Sequence, residues 1–349
     1  MEMASIINQY YSDFLDKHGQ KALPSHLKTL GAIRRCRTAD SGELYVKCPK
    51  CDHSEWRPLS CGNRNCPKCQ NHASSQWIDK QQVKLLPVPY FMVTFTLPRE
   101  LRSLVYHHQK LTYTLLFNCV VSTLKDFGLK QKHLGAKIGT TMVLHTNSRK
   151  LNFHPHIHAV VPGGGVDKHS RQWKRVKSNY LFNHKALAMV FRARFLAGLK
   201  ETGFRIPKNT PAKWVVDCTK AGKGISALKY LSRYLYRGVI SENNIVANKN
   251  GLITFKYIDS NTGYTKYRRL KGEDFLQLIV QHVLPRGFRR VRDYGFLHGN
   301  AKRLRSLIQL ILRVILPPVT LRPRPAFKCS CCKSDMVVWG IRKYGERPG

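Results

Sequence analysis

An α+β fold built around an antiparallel sheet is what this sequence predicts, and three observations carry the prediction. Short β-forming runs alternate with helical patterns, but not in the regular strand–helix–strand beat of a parallel sheet. Two of the runs, residues 139–145 and 156–161, are linked through the short polar turn Asn147-Ser148-Arg149-Lys150, as an antiparallel hairpin would be. Five closely placed cysteines precede the first strong strand and mark a metal-held module ahead of the sheet.

Along the chain, residues 1–85 form that cysteine-bearing module. Strands are expected at 90–96, 139–145, 156–161 and 213–218, with helices at 101–127, 185–202 and 225–237 between and after them. Two further strands, 252–258 and 264–270, lead to a helix at 274–283. These elements define a second domain, 86–284. Residues 285–349 form a basic C-terminal region closing on Cys329-Ser330-Cys331-Cys332.

In the first module, Cys48-x2-Cys51 and Cys66-x2-Cys69 are two knuckles separated by 14 residues. Four thiolates from two such turns suit a closed tetrahedral zinc site, with Zn–S bonds of about 2.3 Å and no open position for chemistry. Each turn also carries a lysine, Lys50 or Lys68, so the metal scaffold presents positive charge suited to a phosphate. Cys36, Cys61, His53 and His72 are further candidate ligands. Cys329 and Cys332 form a third knuckle, which could complete a second zinc with Cys36 and Cys61 or stand as an exposed half-site.

In the run Asn152-Phe153-His154-Pro155-His156-Ile157-His158-Ala159-Val160-Val161, the three histidines share strand parity, so adjacent members lie on one face. Pro155 cannot donate to a sheet ladder and suits a strand start. This favours His156 and His158 as the pair, with Ile157 pointing into the core between them. Across the hairpin, His145 is the first choice of third ligand and His154 the alternative. An ion held by two or three imidazoles keeps open positions and is catalytic in type. It could polarise a phosphate, with Mn²⁺ favoured by nitrogen ligands and Mg²⁺ by abundance. Alternating histidines on an exposed strand could also be plain surface.

The helical run after residue 224 places Leu228, Leu231 and Leu235 on an apolar stripe. Tyr230 and Tyr234 sit about 40° apart on the wheel and off that stripe, whereas Tyr236 is more than about 100° from both. Arg233 and Arg237 add phosphate-binding cations beside them. Such tyrosines could merely border a core, but the histidine strand in the same chain favours a nucleophilic role. A phenolate attacking a phosphodiester releases a 3′-hydroxyl and conserves the bond energy in a 5′-phosphotyrosine.

The charge balance points the same way. Lys and Arg number 60 against 20 Asp and Glu, a formal charge of +40 over 349 residues. A polyanion is the expected partner, because counterion release scales with the number of basic contacts. The longest apolar stretch, 307–319, is broken by Arg313 and two prolines, so no membrane span is expected. The first residues show no basic region followed by an apolar one. Eleven cysteines in such a chain argue for metal ligands in a reducing compartment, the cytoplasm.

Taken together these motifs resemble a known family. Cys48-x2-Cys51, Cys61, Asn63-Arg64-Asn65-Cys66-Pro67-Lys68-Cys69, Pro89-Tyr90-Phe91 and Phe95-Thr96-Leu97-Pro98 come first. Leu144-His145-Thr146, His154-Pro155-His156-Ile157-His158, Tyr230-x3-Tyr234 and His282-x2-Pro285-x-Gly287-Phe288-x2-Val291-Arg292-x-Tyr294-Gly295 follow. Spanning residues 36–300, they resemble the bacterial rolling-circle transposases of the insertion-sequence-ninety-one type. The resemblance implies an HUH endonuclease fold whose antiparallel sheet bears the histidine pair, with the tyrosine helix packed nearby. It further implies transposition through single-stranded DNA with hairpin-bearing ends, the zinc region helping to bind them. Gly222-Lys223-Gly224 lacks the full phosphate-loop pattern, so strand separation would depend on a host helicase. Competing readings are a rolling-circle replication initiator, a non-catalytic zinc-dependent nucleic-acid-binding protein, and a hydrolytic metalloenzyme.

Overall fold

The structure is a computed structural model describing residues 1–69, 71–167, 169–223, 239–314, 323 and 325–342. Two helices, α1 (Met3–His18) and α2 (Pro24–Arg34), open the chain, and the hairpin β1 (Glu43–Lys47) and β2 (Ser54–Pro58) follows. Helix α3 (Asn71–Gln82) then leads to β3 (Pro89–Thr96), α4 (Arg102–His107) and α5 (Gln109–Leu129). Next come β4 (Gly139–Asn147), β5 (Phe153–Pro162), the small hairpin β6 (Gly164–Asp167) and β7 (Gln172–Arg175), α6 (His184–Glu201) and β8 (Val216–Lys223). The remainder is β9 (Ile245–Lys249), β10 (Leu252–Ile258), β11 (Thr265–Lys271), α7 (Gly272–Val280), β12 (Val291–Gly295), α8 (Lys302–Ile311) and β13 (Val337–Arg342).

The α+β expectation holds: the main sheet has five antiparallel strands in the order β12-β4-β5-β3-β8. Its parity divides two environments. Phe91, Val93 and Phe95 of β3, Met142 and Leu144 of β4, and Ile157, Ala159 and Val161 of β5 face α5 and α6. There Tyr113, Phe117, Phe191 and Phe195 close a fully buried core. On the opposite face, Tyr90, Met92, Val143 and Val160 pack with Phe296 and Ile308 of the C-terminal segment. The other end of that face carries the histidines.

A second body is formed by α1, α2 and α7 against the three-stranded sheet β11-β10-β9, with Ile6, Phe14, Phe255 and Phe275 at its centre. The helices dock closely because Gly272 has no Cβ. One built there would meet the Tyr10 ring at 2.2 Å. A third sheet, β13-β1-β2, joins the two ends of the chain.

These pairings cross the divisions expected at 85 and 284. Helix α1 buries its apolar face against α7, 250 residues and more away, rather than within an isolated N-terminal module. Strand β12 lies past residue 284 yet is the edge of the main sheet, and β13 pairs with β1. The expected helix 101–127 is interrupted at His108, whose φ of −123° and ψ of 40° leave the helical region. Strand β8 runs later than expected, over Val216–Lys223.

Candidate functional site

The site is built from the hairpin of β4 and β5. In its register His145 stands directly opposite His156, and His158 opposite Val143. His158 is therefore diagonal to His145 on the same face. All three imidazoles converge, with ring centroids 5.1 Å apart for His145–His156, 4.5 Å for His145–His158 and 4.9 Å for His156–His158. Their donor nitrogens lie within 4.8 Å of one another, close enough to share one ion. His145, preferred over His154 as the third member, is the one the geometry supplies.

His154 is on the same face but faces other work: its Nδ1 accepts from the Arg102 guanidinium at 2.6 Å. Strand β5 also begins earlier than expected, at Phe153, with the ladder irregular between His145 and Asn147 near the donor-less Pro155. Two neighbours orient the rings. His156 Nδ1 donates to the His154 carbonyl at 2.6 Å, which leaves Nε2 free of a proton. The Thr94 hydroxyl lies 2.9 Å from His158 Nδ1, from the paired position on β3. Such partners fix tautomer and orientation in metal-binding histidines.

Burial first, and then the neighbouring imidazoles, hold His145 well below its ordinary range. Burial likewise lowers His156 to about 4 and His158 to about 3. Three neutral, convergent imidazoles fit a divalent cation without having to lose protons first. Arg290 lines the same cleft, its Nε donating to the Leu144 carbonyl at 3.0 Å, and burial lowers it only to about 10. It therefore remains cationic at neutral pH.

The histidines form part of the wall of an open cleft of about 960 Å³ between the main sheet and β10–β11. Lys256, Tyr257 and Tyr267 line the cleft from β10 and β11, and Arg149 from the turn of the histidine hairpin, offering cations for phosphates and rings for bases. Thr94, Arg102 and Arg290 escaped the sequence reading. Parity with the strand could have flagged Thr94, whereas Arg290 reaches the site only by tertiary packing. Tyr230, Tyr234, Arg233 and Arg237, together with Tyr236, lie outside the described residues.

The cysteines regroup. Cys48 and Cys51 do not meet Cys66 and Cys69, as their nearness in sequence suggested. Instead Cys36, Cys61, Cys66 and Cys69 gather, with Sγ–Sγ separations of 3.3 Å for Cys36–Cys69, 3.6 Å for Cys61–Cys69 and 3.7 Å for Cys36–Cys66. Thiolates around tetrahedral zinc lie about 3.8 Å apart, from bonds of about 2.3 Å, so this set fits the ion. The set ties the end of α2 to the loop before α3, beside the core of the second body. Cys329 and Cys332 meet Cys48 and Cys51 rather than Cys36 and Cys61. Lys50 is exposed, but the Lys68 ammonium is engaged by Glu2 and is not a free phosphate contact. His53 is a member of neither set: its Nε2 lies 3.0 Å from the hydroxyl of Ser330, within the Cys329–Cys332 knuckle.

A family described as “Transposase zinc-binding domain” matches residues 6–97, and one described as “Putative transposase” matches residues 139–305. “Putative transposase y4qJ” of Sinorhizobium fredii is 34% identical over 331 residues, covering 88% of this chain and 83% of that protein. The chain belongs to the IS91-type transposases. A second member, the transposase for insertion sequence element IS801 of Pseudomonas savastanoi pv. phaseolicola, is 28% identical over 83% of this chain and 74% of its own length. The conjugative relaxase TrwC, solved in complex with mutant OriT DNA, aligns at 14% identity over 63% of this chain and 71% of that one, with a TM-score of 0.27. So slight a likeness has no bearing on the assignment. This transposase thus carries its zinc-binding domain at the N-terminus. Among the described residues no helix is long and apolar enough to cross a membrane.

Two buried histidines outside the cluster add to its contribution to the acid sensitivity of the transposase fold. Burial lowers both His26 and His282 to about 4 from the ordinary 6.5. Between those values the unfolded chain binds more protons than the folded one. The stability from these two sites is thus full above about pH 6.5 and is lost as pH falls toward 4. Urea midpoints should drop from about pH 7.5 to 5.5 and again to 4.5, by less when His26 and His282 are both replaced with glutamine, and a flat wild-type profile would mean that none of these imidazoles is neutral in the fold.

Proposed function

We propose that this transposase nicks and rejoins single-stranded DNA at transposon ends through a 5′-phosphotyrosine, as in rolling-circle transposition. The convergence of His145, His156 and His158 beside a basic, aromatic-lined cleft is the observation that carries the reading. The three histidines would hold a Mg²⁺ or Mn²⁺ ion. Such an ion polarises a bound phosphate and offsets the charge that builds up in the transition state.

The chain's own groups account for the remaining steps. Arg149, Lys256 and Arg290 draw the phosphate backbone into the cleft, and Tyr257 and Tyr267 offer stacking surfaces to its bases. Tyr230 or Tyr234 supplies the nucleophile: its phenolate oxygen bonds to phosphorus as the bond to the 3′ oxygen breaks. Attack by a 3′-hydroxyl on that phosphotyrosine reverses the exchange and restores the phenol. Two tyrosines would allow two strands to be held covalently at once. Hairpin-bearing ends are the proposed substrate, bound with help from the zinc region, and a host helicase would separate the strands.

The test is incubation of the transposase with end-labelled single-stranded DNA and Mn²⁺, followed by denaturing gel electrophoresis. A protease-sensitive covalent adduct is expected. Hydrolysis without adduct would select a metal-water mechanism, and binding without cleavage would select a non-catalytic role.

A further inference from the structure

We propose that Cys48, Cys51, Cys329 and Cys332 bind a second zinc ion, which clasps the C-terminal strand onto the N-terminal hairpin. This site stands apart from the family's zinc-binding region, because residues 6–97 contain all four donors of the first set but only two of this one. Nor does it depend on the strand-transfer reading.

The two half-sites are built alike. In the first, the Cys48 N–H donates to the His53 carbonyl at 2.8 Å; in the second, the Cys329 N–H donates to the Ser334 carbonyl at 2.9 Å. Each knuckle is followed at once by a residue in the left-handed region, Asp52 at φ 56° and Lys333 at φ 60°. The same turn has therefore been made twice, 281 positions apart, and the two copies face each other. Across the gap Cys48 and Cys332 sulfurs lie 3.4 Å apart, and Cys51 and Cys329 sulfurs 3.5 Å. A disulfide would bring a pair to about 2.05 Å, whereas four thiolates about one zinc lie about 3.8 Å apart. The observed spacing is that of the ion. With four protein ligands the site is closed, so its role is structural.

The clasp has a physical reason. Among the described residues the core around it is Val46, Cys48, Cys329 and Met336, with Leu44 half-buried beside them. So small a cluster cannot hold a three-stranded sheet, and metal binding supplies the missing free energy. Without the ion β13 would have to close a loop of nearly the whole chain to pair with β1. The sheet is consequently complete only once residue 342 has been made.

The test is metal content of the full-length protein, purified with zinc under reducing conditions and measured by plasma mass spectrometry. With His156→Ala in every sample, so that the histidine trio is out of the count, protein with all its cysteines is expected to carry two equivalents and Cys329→Ser plus Cys332→Ser one. Cys331→Ser, which alters the same knuckle outside the set, should retain two. Backbone amides of Val337–Arg342 should exchange at least about tenfold faster in the double variant than in wild type. Should that variant aggregate, cobalt titration of wild type decides: thiolate-to-cobalt absorption must saturate at two equivalents. One equivalent with all cysteines in place by either measurement, two retained in the double variant, or disulfides joining these cysteines would overturn the proposal.

Discussion

Replacing His156 or His158 with alanine is expected to lower metal-dependent nicking by at least about a thousandfold while single-stranded DNA affinity stays within about twofold. The two quantities should separate because they come from different parts of the molecule. Affinity is spread over many cations of a chain with a formal charge of +40. Metal assistance, on the proposed reading, would be concentrated in three side chains whose donor atoms lie within 4.8 Å of one another. Losing one of three imidazoles removes about a third of the coordination and opens a path for the ion to leave. The fold should survive, since both residues lie on central strands whose cores are made by the opposite parity, Ile157 and Ala159. His145→Ala should behave in the same way, and His154→Ala should not, because His154 is turned to Arg102. Nicking rates, fluorescence anisotropy with labelled DNA, and Mn²⁺ binding by electron paramagnetic resonance would be measured together. Near-normal cleavage in both the His156 and His158 variants would remove the metal assignment.

That trio was legible because it is local. Strand parity placed His156 and His158 on one face, and a short turn between two strands brought His145 opposite them. The cysteines were a different problem. Spacing within a knuckle is a local rule, so each C-x2-C turn was visible; which turns meet is decided by packing. Cys51 and Cys329 stand 278 residues apart, a distance over which nothing in the sequence specifies contact. Strand β12 was hidden for another reason. It is an edge strand of mixed polarity, and Asp293 is half-buried, pairing with Lys84 at 2.6 Å and the Thr141 hydroxyl at 2.6 Å. No alternation of apolar and polar residues announces such a strand. The docking of α1 on α7 was likewise invisible, since an apolar stripe shows that a helix packs but not against what.

The second large effect concerns the tyrosines, where one oxygen atom separates a nucleophile from a bystander. Tyr230→Phe plus Tyr234→Phe is expected to abolish the covalent DNA adduct entirely, with each single substitution losing part of it or all. Phenylalanine keeps the ring and its packing, so stability should move by no more than about 1 kcal/mol. Binding to single-stranded DNA should persist, because the cations that supply it are untouched. Tyr236→Phe should leave the adduct at the wild-type level, since the helical spacing expected from the sequence separates it from both by more than about 100°. The same comparison distinguishes chemistry from metal binding: the tyrosine variants should still bind Mn²⁺, whereas the histidine variants should not. Tandem mass spectrometry of the trapped adduct would read the modified residue directly. An adduct on Tyr236, or on a tyrosine elsewhere in the chain, would place the nucleophile outside the pair and require a different approach of the strand to the histidines.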